Sequence, residues 1–238
     1  MALFTTIDVP CPACTARASF RAAGSVNVDR APELRRAILD GRFQRAICTK
    51  CGNEFRYAPQ FAYIDTVRRQ WIAAYPLDRM RRWSEEERHA RELFDRVYGP
   101  SAIELLRQIG ARLQPRMTFG WAGLREKLLI ADLALDDVTV ELCKAVVLRA
   151  SKALPLSAGV ELRLVDADDD ALTMAWMRAA FESPGEARRV SRRLYDEIAE
   201  DAGGDWSTLR GELSQGMFVD LSRLLLEPGE AAASMAGR

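Results

Sequence analysis

Along the first sixty residues, apolar and polar positions alternate in short runs. Further on, the apolar positions recur mainly at helical spacing. Residues 7–10, 19–21 and 25–29 read as short extended segments. Residues 32–41 open on Pro32 and Glu33, place Leu34, Ala37 and Ile38 on one face and end at Gly41, which predicts a short helix. Residues 43–47 and 54–57 predict two more strands. Ser84 with Glu87 forms a capping box that opens a helix to about Tyr98, stopped by Gly99-Pro100. Ser101 with Glu104 repeats the device for a second helix ending near Gln114-Pro115, so the two make a helical hairpin. Residues 124–152 read as helix, bent around Leu135-Asp136-Asp137. A β-hairpin follows, with strands at 160–165 and 172–176 and an acidic turn at 166–170. Ser183 with Glu186 predicts a further helix to about residue 202, and residues 217–226 a final strand or helix. The tail from Pro228 has nothing to bury and is expected to fray.

Composition adds bounds. The chain has 238 residues, 48% of them apolar, enough for a small module and a second domain. No apolar run approaches the roughly 18 residues of a membrane span, and the N-terminus has no cationic segment leading into an apolar one. A cytoplasmic protein without membrane association is expected. Net charge is zero but uneven: residues 1–83 carry 14 Lys and Arg against 7 Asp and Glu, and the excess reverses in the remainder.

The chemical signal lies in the cysteines. Cys11-Pro12-Ala13-Cys14 is followed, after 33 intervening residues, by Cys48-Thr49-Lys50-Cys51-Gly52. Two C-x-x-C turns present four thiolates, the donor set of a closed tetrahedral zinc site that leaves no position for a catalytic water. Pro12 pre-sets φ in the first turn, and Gly52 can take positive φ in the second, where Thr15 stands at the corresponding place in the first. The helix at 32–41 fills a gap longer than the usual spacing, giving a zinc ribbon with a helical insertion. The weaker alternative is a redox-active dithiol. Cys143, within an apolar helical pattern, reads as a buried inert thiol.

These residues carry a family likeness. CPAC at 11–14, VNVDRAPELRRAILDG at 26–41, CTKCG at 48–52 and YAPQFAYID at 57–65 resemble the CpXC domain of bacterial proteins. The likeness covers residues 8–80, and LREKLLIADLALDDVTVELCK at 124–144 resembles the family's distal segment less specifically. Thr49 departs from the proline of the second motif. The resemblance implies a zinc-binding module with no assigned role.

Residues 63–83 interleave Arg68, Arg69, Arg79, Arg81 and Arg82 with Trp71, Tyr75 and Trp83. An amphipathic helix packing its aromatics under the metal module is the favoured reading. Single-stranded nucleic-acid binding is the alternative, weakened by a pI near 6.6. No P-loop, dinucleotide fingerprint, H-E-x-x-H or nucleophile elbow occurs. Asp136-Asp137 is not placed in a cleft, His89 reads as a surface residue, and the acids at 166–170 as a solvated turn rather than a calcium loop. The expectation is an α+β, non-enzymatic zinc protein acting through a protein partner. Its parts are a four-cysteine zinc-ribbon module at 1–83, with ligands Cys11, Cys14, Cys48 and Cys51, a helical hairpin at 84–116, a helix-rich α+β domain at 117–228 and a flexible tail at 229–238.

Overall fold

The computed structural model describes residues 2–151, 160–178, 184–201 and 203–226, and the expected tail at 229–238 lies outside them. In chain order the elements begin with β1 (Ala2–Pro10), β2 (Arg17–Asn27), α1 (Pro32–Leu39), β3 (Arg45–Ile47), β4 (Glu54–Arg56), β5 (Phe61–Asp65) and β6 (Gln70–Tyr75). A 3-10 turn at Leu77–Arg82 leads to α2 (Trp83–Tyr98), α3 (Glu104–Gly110), β7 (Gln114–Phe119), α4 (Gly120–Asp132) and α5 (Asp137–Ala150). Then come β8 (Val160–Ala167), β9 (Ala171–Arg178), β10 (Pro184–Ser191), α6 (Arg192–Glu200), α7 (Ser207–Leu213) and α8 (Ser222–Leu225). Strands and helices follow one another in separate groups as well as in alternation, so the class is α+β as expected.

Five strands form one sheet in the order β1-β2-β5-β6-β7. β2 runs parallel to β5 and β6 parallel to β7, so each pair needs a crossover. The first crossover contains α1 and the β3–β4 hairpin, and the second contains α2 and α3. Along β6, Trp71, Ala73 and Tyr75 join Trp83, Ala90, Met117 and Phe119 in one core. Ile72 and Ala74 join Val26, Ile38, Tyr63, Trp121 and Leu124 in another. Every residue of β6 is buried because both faces of the sheet are covered.

Here the structure corrects the helix expected over 63–83. Asp65 and Gln70 close a β5–β6 hairpin instead, since a central strand buried on both faces carries no alternating polar positions and can imitate helical spacing. The expected helix from Ser101 to Gln114 is also shorter, ending at Gly110. Gln114 then starts β7, and its amide donates to the Arg69 carbonyl at 2.6 Å. The boundary expected at 116/117 thus falls inside the fifth strand of the first sheet. Gly120, at φ +69°, turns the chain directly from β7 into α4. Capping also differs: α2 begins at Trp83, and Glu87 accepts from the Met217 amide and, at 3.0 Å, the Phe218 amide instead of reaching back to its own helix.

The second half stacks α5, α6 and α7 on the antiparallel sheet β10-β9-β8. The predicted break between α4 and α5 and the β8–β9 hairpin are both present. Residues 184–191, expected as helix from the Ser183–Glu186 pattern, form edge strand β10 paired with β9, and α6 starts only at Arg192, capped by the Ser191 side chain. Ser183 itself lies outside the described residues.

Between the halves lies a buried ionic network that no local pattern announces. Glu126 of α4 meets Lys144 of α5 at 2.7 Å and Arg163 of β8 at 2.9 Å, and accepts from the Leu164 amide at 2.6 Å. Lys144 also holds Glu141 at 2.7 Å, Arg163 bridges to Asp220 and Glu161, and Glu141 accepts from the Leu221 amide at 3.0 Å. Beside it, Asp137 pairs with Lys127 at 3.0 Å and Arg116 at 2.7 Å.

Candidate metal centre

Both C-x-x-C turns sit at hairpin tips. Cys11 and Cys14 lie between β1 and β2, and Cys48 and Cys51 between β3 and β4. The two tips repeat one hydrogen-bond pattern. The Cys11 amide donates to the Ala16 carbonyl and the Thr15 amide to the Cys11 carbonyl, each at 2.9 Å. The Cys48 amide donates to the Asn53 carbonyl and the Gly52 amide to the Cys48 carbonyl, again at 2.9 Å. The residue after the second cysteine must be left-handed in both: Gly52 has φ +70° and Thr15 φ +59°. For glycine this conformation is free of steric cost, whereas a β-branched residue is strained there. The Thr15 hydroxyl donates to the Cys14 carbonyl at 2.7 Å, which partly compensates.

The four Sγ atoms all lie within 4.8 Å of one another. Cys11 and Cys51 approach to 3.7 Å and Cys14 and Cys48 to 3.6 Å. A tetrahedron with metal–sulfur bonds of about 2.3 Å has edges of about 3.8 Å, so the donor set fits such an ion. Among the described residues this is the one cluster of three or more potential ligands that can hold a metal, and it contains all four cysteines expected from the sequence.

Amides set the thiol chemistry. The Cys51 amide, followed by that of Lys50, aims at the Cys48 sulfur and brings its pKa down to about 6. The Asn53 amide likewise draws Cys51 down, but the Cys14 sulfur leads an opposing set that leaves this thiol pushed up to about 12. Crowded sulfurs resist becoming thiolates together. A cation in their midst removes that conflict.

The centre stands on an arm. β2 pairs with β5 only from Ser25 to Asn27, so the eight residues from Arg17 to Gly24 carry the first tip about 25 Å beyond it. Val9, Phe20 and Ala22 pack there against Ala46, Phe55 and Tyr57 in a small core of their own. Trp121 of α4 ties the arm to the body. Its indole N–H donates to the Tyr57 carbonyl at 3.1 Å, and the Arg56 guanidinium lies 3.6 Å from its ring centroid. The Gln44 side chain accepts from the Ala23 amide at 2.7 Å, closing the same joint.

The other sequence candidates lie elsewhere. Cys143 is fully buried, and burial pushes its thiol up to about 12. Trp71, Tyr75 and Trp83 are inside the protein, which removes the stacking surface that single-stranded nucleic acid would use. His89 lies on the exposed face of α2, with Nδ1 3.3 Å from the Tyr75 hydroxyl. In the acidic turn, Asp168 accepts from the Asp170 and Ala171 amides and from Arg189, the solvated turn expected. An open groove of ≈ 290 Å³ lies between α4 and β8, with Glu126 and Arg163 among the residues lining it. Both are already ion-paired.

The profile of the family described as CpXC protein matches residues 9–144. That span contains both tips, the whole five-stranded sheet from the end of β1, and α4 and most of α5. No curated protein and no solved structure matches the chain.

Proposed function

The chain belongs to the CpXC protein family, and from that premise we propose that Cys11, Cys14, Cys48 and Cys51 bind one structural zinc ion. The gathering of four sulfurs from two hairpin tips carries this reading. Zinc has no geometric preference to oppose such a cage, and four thiolates close its coordination sphere. The role we assign is therefore not catalytic: the ion fastens two hairpins whose shared apolar core is too small to do so. Apparent folding contributions of structural zinc are on the order of 10 kcal/mol.

The protein acts, in this reading, in the cytoplasm of a bacterial cell through a protein partner. Support comes from the arm's tip, where Ile47 is 68% exposed next to Cys48. Among the described residues no helix is long and apolar enough to cross a membrane. The nucleic-acid alternative loses the three aromatics it would stack bases on, since Trp71, Tyr75 and Trp83 are buried.

Elemental analysis of the purified chain tests the metal assignment. The expected result is about one zinc per chain, lost in Cys48→Ser. Iron in its place overturns the choice of metal, and a metal-free chain whose paired cysteines cycle to disulfide overturns the structural role.

A further inference from the structure

The four sulfurs are unequal towards solvent. Cys11 and Cys48 are 1% and 2% exposed, Cys14 is half-buried, and Cys51 is exposed at the outer end of the β3–β4 tip. Two close approaches run between the hairpins, Cys11 to Cys51 at 3.7 Å and Cys14 to Cys48 at 3.6 Å. An oxidant arriving from solvent therefore meets Cys51 first, and the sulfur in contact behind it is Cys11.

We propose that Cys51 is the point at which peroxides enter the centre, and that oxidation joins it to Cys11 across the two hairpins and releases the metal. This rests on the zinc reading above. The Cys51 sulfur attacks one oxygen of hydrogen peroxide. The O–O bond breaks, Cys51 becomes a sulfenic acid, and the other oxygen leaves as hydroxide, which a solvent proton converts to water. The Cys11 thiolate then attacks the Cys51 sulfur, an S–S bond forms, the S–O bond breaks, and hydroxide again leaves as water. Each sulfur gives up one electron, and the peroxide takes both. Closing 3.7 Å to a disulfide bond of about 2.05 Å asks each sulfur to move by only about 0.8 Å. Two of the four thiolates are then gone, and Cys14 and Cys48 alone are a poor cage for zinc.

Burial decides the order of events. Cys11 is shielded from direct attack, yet it is placed to resolve the sulfenic acid before a second peroxide carries Cys51 to the irreversible sulfinic state. The product keeps the tips joined by a covalent bond in place of the ion.

The test uses the full-length chain with its metal content established by elemental analysis. Peroxide is added, freed zinc is followed with a colorimetric chelator, and disulfides are located by peptide mass mapping. Zinc release with Cys11–Cys51 as the first cross-link is the expected result. Cys51→His keeps four donors, and its release should be at least roughly tenfold slower if the exposed thiolate is the point of entry. A first cross-link of Cys48–Cys51 or Cys11–Cys14 overturns the proposal, and so does release from Cys51→His as fast as from the parent. If Cys51→His fails to bind zinc, the cross-link map of the parent decides. A parent chain without zinc overturns both this proposal and the zinc reading, whereas zinc that peroxide does not displace overturns this proposal alone.

Discussion

Thr15 and Gly52 occupy equivalent places in two equivalent turns, and only one of them suits its backbone. A left-handed conformation costs an L-residue with a Cβ roughly 1–2 kcal/mol, and Thr15 holds it at φ +59° with one hydroxyl hydrogen bond in return. Thr15→Gly removes that strain but adds freedom to the unfolded chain, so the net gain expected is about 0.5–1 kcal/mol. It should appear as several-fold slower loss of metal to a competing chelator, while Gly52→Thr should accelerate the loss. Equal rates for Thr15→Gly and the parent would show that the turn is not under strain. This asymmetry was legible in the sequence, because C-x-x-C spacing and the residue after it describe a turn closed by local hydrogen bonds. Cys51's exposure was not legible, since it depends on which hairpin lies outside the other.

Among the elements, the arm is the part whose stability should depend on metal. The sheet core around Tyr63, Ile72, Trp121 and Leu124 is built without it, and Trp121, Arg56 and Gln44 are among the residues that join the two. Chelation is therefore expected to raise amide exchange at residues 9–22 and 44–57 by orders of magnitude, while β5 and β6 keep their protection. Loss of protection across β5 and β6 would mean that metal and sheet unfold as one unit. The same distinction explains which elements could be anticipated. Helix α1 has Pro32 at its start and Gly41 after its end, and the β8–β9 hairpin alternates around an acidic turn. Both are local. β6 is a strand because β5 and β7 flank it, and β10 because β9 offers an edge. Of these partners β7 is distant in sequence, and pairing with β9 overrides the local pattern of Pro184-Gly185-Glu186.

At the scale of the molecule, segment 217–221 stitches the two halves together. Met217 and Phe218 enter the core of the first sheet, Val219 and Leu221 enter that of the second half, and Asp220 enters the ionic network between them. Five acids, Glu126, Asp137, Glu141, Glu161 and Asp220, share that region with four bases, Arg116, Lys127, Lys144 and Arg163. Burial, reinforced by Asp220 and Glu126 and only partly offset by Lys144, pushes Glu141 up to about 7 from its ordinary 4.5. The folded protein then binds a proton that the unfolded chain releases above about pH 4.5, so this group's contribution to stability is complete below that pH and is lost as pH rises towards 7. Asp137 and Asp220 work the other way. Burial opposes their ionisation, but Lys127 and Arg116 for the first, and Arg163 and Lys144 for the second, hold both well below the usual carboxylate range. Their contribution is complete above the ordinary aspartate value and lost on acidification. The opposing slopes predict maximal stability near pH 5, with a decline from there to pH 7, measured by urea unfolding with tryptophan fluorescence. Glu141→Gln keeps an acceptor for the Leu221 amide while removing the titration, and should flatten the decline between pH 5 and 7 without altering the acid limb. An unchanged slope in Glu141→Gln would place the shared proton on a different member of the network, and a parent chain whose stability does not fall between pH 5 and 7 would mean that all five carboxylates are ionised together.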